Sequence, residues 1–77
     1  DGWTAHMIAY ELGMAGDTLA QQAERIEQHL AQTIESADGS QSGDQLELEQ
    51  RQQLARTLRA TSRLLRETAQ AIVGNLR

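Results

Sequence analysis

Two stretches of this chain carry apolar residues at steps of three or four. No proline interrupts either stretch, and one Gly/Ser/Asp-rich break separates them. Steps of three or four return to the same face of a helix, so each stretch reads as one long amphipathic helix. The absence of proline permits such length, and Ala, Gln, Leu, Glu and Arg, all good helix formers, dominate. The expected fold class is all-α. The expected architecture is a helix–turn–helix hairpin of two long antiparallel helices, one domain over residues 1–77, with helices over about 4–37 and 44–74 and a turn over about 38–43.

In the first helix the apolar series is Ile8, Leu12, Ala15, Leu19, Ala23, Ile26, Leu30 and Ile34. Gly13 and Gly16 fall within it, and each costs about 1 kcal/mol relative to Ala in a helix interior. They read as simple tolerance, as a kink, or as a close approach of a neighbouring chain. Asp17-Thr18 follows them and is placed to cap a restarted helix. In the second helix the series is Leu54, Leu58, Thr61, Leu65, Ala69, Ile72 and Leu76, with Leu64 and Val73 to either side. Ile26, Leu30, Leu54, Leu58 and Leu65 are expected to pack between the helices. The break runs from Ser36 to Asp44. Ser42 with Gln45, or Asp44 with Glu47, suits the start of the second helix.

Charge is sorted along the chain. Residues 1–45 hold eight acids and one Arg, a net of −7; residues 46–77 hold three acids and six Arg, a net of +3. Arg56, Arg59, Arg63 and Arg66 form one stripe. It reads as a solvated face, or as a partner for acidic first helices within the chain or between copies. The second alternative predicts assembly that depends on ionic strength. The whole chain is acidic and no aromatics interleave with the arginines, which argues against nucleic-acid binding.

Chemistry is hard to place on these residues. There is no cysteine, so disulfides and thiolate metal sites are excluded. His6 and His29 stand apart with no metal-ligand spacing. No Gly-rich phosphate loop and no nucleophile in a recognised frame is present. We expect no enzyme, no metal and no cofactor. No run of apolar residues is long enough to span a membrane. No basic-then-apolar signal segment is found, and the first residue is not Met, which leads us to expect a trimmed N-terminus. A chain this small builds a modest core, roughly 3–5 kcal/mol, and commonly gains stability from a disulfide, a metal or association. Association is the expected route.

The two ends carry the most specific pattern. The chain starts Asp1-Gly2-Trp3-Thr4 and finishes Ala71-Ile72-Val73-Gly74-Asn75-Leu76-Arg77. Together with the length and the hairpin plan, these ends resemble the needle-forming subunits of type III secretion systems. That family has an acidic residue near a Trp-Ser or Trp-Thr pair. Its tail runs Ala or Ser, two β-branched residues, a variable residue, Asn, an apolar residue and Arg. The chain departs from the family's animal-pathogen group at the turn, which lacks proline, and at Leu58-Arg59-Ala60, where tyrosines are common.

The resemblance implies a structural subunit that polymerises into a hollow tube conducting unfolded effector proteins, secreted and located outside the bacterial cell surface. It implies self-association through Trp3, Ile72, Val73, Asn75, Leu76 and Arg77. Further implied partners are needle-tip, inner-rod and chaperone proteins and transient unfolded effectors. It places Trp3 and Thr4 near the outer surface and makes Arg56, Arg59, Arg63, Arg66 and Gln70 candidates for the channel side. Two alternatives come from other classes: a helical-hairpin secretion chaperone, suggested by residues 43–58, and a homodimeric four-helix-bundle scaffold. The tail is the discriminating feature. Ile72 and Leu76 share one face and Val73 another, so the tail is expected to need more than one hairpin to cover it. Deleting residues 73–77 is expected to spare helicity and abolish filaments and secretion.

Overall fold

The computed structural model describes residues 2–36 and 42–76, and the side-chain surroundings of 2–33 and 45–76. Two helices, α1 (Gly2–Ser36) and α2 (Ser42–Asn75), pack against each other as a hairpin. The fold is all-α, as the periodicity implies. The expected turn falls largely outside the described residues; Ser42 and Gly43 already belong to α2. The side chains of Ile34, Ser42 and Asp44 also lie outside them. The molecule is a rod of 58 × 15 × 14 Å. Its length matches one helix of about 35 residues at about 1.5 Å per residue.

α1 runs unbroken through Gly13 and Gly16. The expected cap at Asp17-Thr18 does not form, because the helix does not restart there; as a mid-helix residue, Thr18 donates its hydroxyl to the Met14 carbonyl one turn back, at 3.0 Å. α2 closes after Asn75 with the Leu76 amide donating to the Val73 carbonyl, at 3.1 Å.

The seam between the helices differs from the expected stripe by one residue. In α1 the buried positions are Ala9, Gly16, Ala23 and Leu30, and in α2 they are Ala55, Ser62 and Ala69. Each series repeats every seventh residue, the period of a left-handed coiled coil. Ile8 and Ala15, placed in the core by the apolar series, are exposed; Ala9 and Gly16 take their places. Leu54 and Thr61 are likewise exposed, and Ala55 and Ser62 are buried instead. Small side chains let the two backbones approach closely, so the smaller member of each adjacent pair occupies the seam.

Three residues beyond each small position stands a large one: Leu12, Leu19 and Ile26 on α1, and Leu58, Leu65 and Ile72 on α2, all half-buried. A step of three turns a side chain about 60° back around the helix axis. Because the helices are antiparallel, that turn carries both large series to the same flank of the hairpin. Of the five residues expected between the helices, Leu30 is buried, Ile26, Leu58 and Leu65 are half-buried, and Leu54 is 49% exposed.

Candidate self-association surface

The closest approach of the helices is built on Gly16. A Cβ placed there meets the Ser62 backbone oxygen at 3.0 Å, the Arg66 Cγ at 2.9 Å and the Leu65 Cβ at 3.5 Å. Ser62 is completely buried, and its hydroxyl donates to the Gly16 carbonyl at 2.6 Å. This bond satisfies a polar atom that would otherwise be costly in the seam. Gly16 therefore serves a close approach, as one reading of the sequence held, but the approaching backbone is the chain's own second helix. Gly13 has open space around it.

One flank of the hairpin is charged. Arg59 grips Glu27 with two bonds, Nε to Oε2 at 2.8 Å and Nη2 to Oε1 at 2.5 Å. Arg66 lies 3.8 Å from Asp17 on the same flank. The bonds from Arg59 hold the Glu27 carboxyl below its ordinary value; desolvation opposes them and the guanidinium charge reinforces them. The same bonds, with the charge of Glu27, raise Arg59. Two members of the arginine stripe are thus paired within the chain. Arg56 and Arg63 are exposed and make no ion pair among the described residues.

The opposite flank is uncharged along most of its length. Beside the half-buried Leu12, Leu19, Leu58 and Leu65 it exposes Ile8 and Leu54, with Thr61 and Thr68 between the apolar residues of α2. Nearer the turn, Arg51 pairs with Glu47 one turn away, at 2.9 Å.

The outer face of α1 presents a second apolar surface. Trp3, Met7, Tyr10 and Met14 follow steps of four, three and four, and all four are exposed, Trp3 by 71% and Tyr10 by 66%. At about 100° per residue Met7 and Met14 point away from the seam, while Trp3 and Tyr10 lean toward the charged flank, where Tyr10 lines a depression with Ala69 and Val73. Trp3, which the resemblance places on the outer surface of a filament, is exposed on the single hairpin. Met7, Tyr10 and Met14 were missed, although their spacing with Trp3 was a readable signal. The Ile8–Ile34 series drew attention to one stripe on a helix that carries two.

The tail residues separate. Ile72 and Val73 are half-buried, Asn75 is exposed and Leu76 is 38% exposed; Arg77 lies outside the described residues. The expectation that one hairpin cannot cover both faces of the tail is corrected for Ile72 and Val73. α1 begins at Gly2, so its first turns lie beside the end of α2. Val73 and Gln70 line an open depression of about 560 Å³ there, with His6, Ala9, Tyr10, Ala69 and Gly74.

No group of acidic and His side chains suited to a metal ion occurs among the described residues, and no described helix is long and apolar enough to cross a membrane. Among the described residues, the exposed surfaces that stand out are the apolar flank, the outer stripe of α1 and the side chains of Arg56 and Arg63 on α2. No family model, curated protein or solved structure matches the chain.

Proposed function

We propose that this chain is a structural subunit of a type III secretion needle, polymerising outside the cell into a hollow tube that conducts unfolded effectors. The observation that carries the reading is the outer stripe of Trp3, Met7, Tyr10 and Met14, which the chain's own fold leaves uncovered. Single exposed apolar residues are ordinary, but four in a row on one helix face mark an interaction surface. A slender rod with a thin seam suits repetition in a wall. The resemblance of the two ends, Trp3-Thr4 and Ala71 to Arg77, supplies the family.

On this reading Trp3 and the apolar tail residues Ile72, Val73 and Leu76 take part in self-assembly, and Arg56 and Arg63 serve the channel wall or a contact between copies. Needle-tip, inner-rod and chaperone proteins are its partners. Negative-stain microscopy of the concentrated purified protein tests the reading. Uniform thin tubes are expected; discrete particles at every concentration count against it.

The uncharged flank favours a second reading, a two-copy four-helix bundle in which Leu54, Leu58 and Leu65 face their equivalents. Light scattering showing a fixed dimer that does not grow with concentration selects that reading.

A further inference from the structure

The uncharged flank of the hairpin repeats itself from one helix to the other. Counted along the chain from Gly16, Ile8 and Leu12 lie eight and four positions before it, and Leu19 and Ile26 three and ten after. Counted from Ser62, Leu54 and Leu58 lie eight and four before, and Leu65 and Ile72 three and ten after. Gly16 and Ser62 are joined by the buried hydrogen bond, and the helices are antiparallel. A half-turn about an axis through that bond therefore carries the apolar residues of one helix onto those of the other. A surface with this symmetry fits a second copy of itself in two ways. Either α1 lies over α1 and α2 over α2, with the copies antiparallel, or α1 lies over α2, with the copies parallel. Both bring each large side chain within about two residues of another, or about 3 Å along the axis.

Charge along the edge of the flank separates the two. Positions two past a seam residue turn about 200° from the seam and border the flank on its outer side. On α1 they hold Glu11 and Arg25, both exposed and in no ion pair among the described residues. On α2 they hold Thr57, Leu64 and Ala71, with no charge. Laying α1 over α2 leaves Glu11 and Arg25 beside uncharged side chains. Laying α1 over α1 sets Glu11 of each copy against Arg25 of the other. Helical side chains lean toward their own N-terminus, so partners on antiparallel helices meet when their positions overlap past a common level. Asp17 lies one position past Gly16 and Arg66 four past Ser62, an overlap of five; Glu27 lies eleven past and Arg59 three before, an overlap of eight. Glu11 lies five before Gly16 and Arg25 nine after it, an overlap of four in the same direction.

We infer that the uncharged flank is covered by a second copy of this chain, laid antiparallel so that α1 meets α1 and α2 meets α2 about a two-fold axis at the Gly16–Ser62 clasp. This contact rests on the two-copy bundle reading above and fixes which helix meets which. Leu12 then lies beside Leu19 of the second copy and Leu58 beside its Leu65. Ala15 and Thr61, each one position before the clasp and both exposed, face their own equivalents at the axis. The Arg51–Glu47 pair falls at the ends of the bundle, beyond Leu54. The same patch serves both copies, so the contact is isologous and closes at two. Met7 and Met14 lie outside it.

The chain has no cysteine, so single substitutions report the arrangement. Ala15→Cys alone and Thr61→Cys alone are each expected to form a covalent dimer under mild oxidation, read on a non-reducing gel at concentrations where light scattering shows two copies. In the parallel arrangement neither variant links to itself, and only an equal mixture of the two cross-links. Both sites are exposed, so the fold tolerates them. A second measurement uses charge. Glu11→Arg or Arg25→Glu should weaken the dimer roughly tenfold, and the two exchanges in one chain should restore it. A fixed dimer that links only in the mixture, or one indifferent to the charge exchanges, overturns this arrangement and leaves the two-copy bundle standing. Protein that is monomeric or tubular at every concentration, and never a fixed dimer, overturns both.

Discussion

Gly16 and Gly13 sit three residues apart in one helix, yet the same substitution should move them in opposite directions. Gly13→Ala meets nothing, so the gain in helix propensity, about 1 kcal/mol, should appear as a higher melting temperature. Gly16→Ala meets the backbone oxygen of Ser62, which cannot move without parting the helices. The expected net effect is a loss of about 1–3 kcal/mol, the usual range for overpacking. Ser62→Ala removes the donor of the buried bond but leaves the Gly16 carbonyl in its helix, so a smaller loss of about 0.5–1.5 kcal/mol is expected. Thermal or denaturant melts of the three variants check the order Gly13→Ala, Ser62→Ala, Gly16→Ala from most to least stable. Equal stability of the two Gly variants would falsify the close approach. That glycines interrupt the first helix was plain in the sequence. Which glycine meets a backbone was not, because the answer depends on a residue 46 positions away.

Both helices, their periodicity and their ends to within two or three residues were legible in the sequence, because they depend on local spacing and on the absence of proline. The choice of seam was not. Steps of three or four describe Ile8–Leu12–Ala15–Leu19 as well as Ala9–Leu12–Gly16–Leu19, and hydrophobicity alone selects the larger residues. Close packing of two backbones selects the smaller ones. Leu30→Ala should therefore cost about 2–5 kcal/mol, whereas Leu54→Ala should stay within about 0.5 kcal/mol in the isolated hairpin. A comparable loss at both positions would return Leu54 to the seam.

The charged flank gives the paired helices a pH dependence of defined sign. Glu27 is held below its ordinary value in the folded state, so its contribution is fully present above about 4.5 and lost as the pH falls through the lowered value. Melting temperatures measured from pH 7 to pH 3 should fall in that acid range, and Glu27→Gln should flatten the fall. Identical acid profiles for the two proteins would remove the Glu27–Arg59 pair from the account. The candidate surface was half legible by the same logic. Trp3 and the arginine stripe were visible as local spacing, but which arginines pair within the chain depends on the facing helix.

As a whole, the molecule is a rod whose interior is a single line of contact. The seam of Ala, Gly and Ser that draws the helices together also gives the hairpin little apolar surface to hide. That has a calorimetric consequence. Unfolding raises the heat capacity mainly by exposing apolar groups, and ordinary domains gain about 12–15 cal/mol/K per residue. The lone hairpin should gain clearly less, and its free energy of unfolding should therefore vary only shallowly with temperature. On the proposed self-assembly, much of the apolar area that this chain hides lies between copies, and the missing heat capacity should reappear in the enthalpy of association. Titration calorimetry of disassembly at several temperatures is expected to give an enthalpy with a steep positive slope, set against the shallow one of the hairpin itself. A hairpin that assembles as proposed would keep its own shape over a wide range of temperature while the strength of its attachment to neighbouring copies changes with warming and cooling.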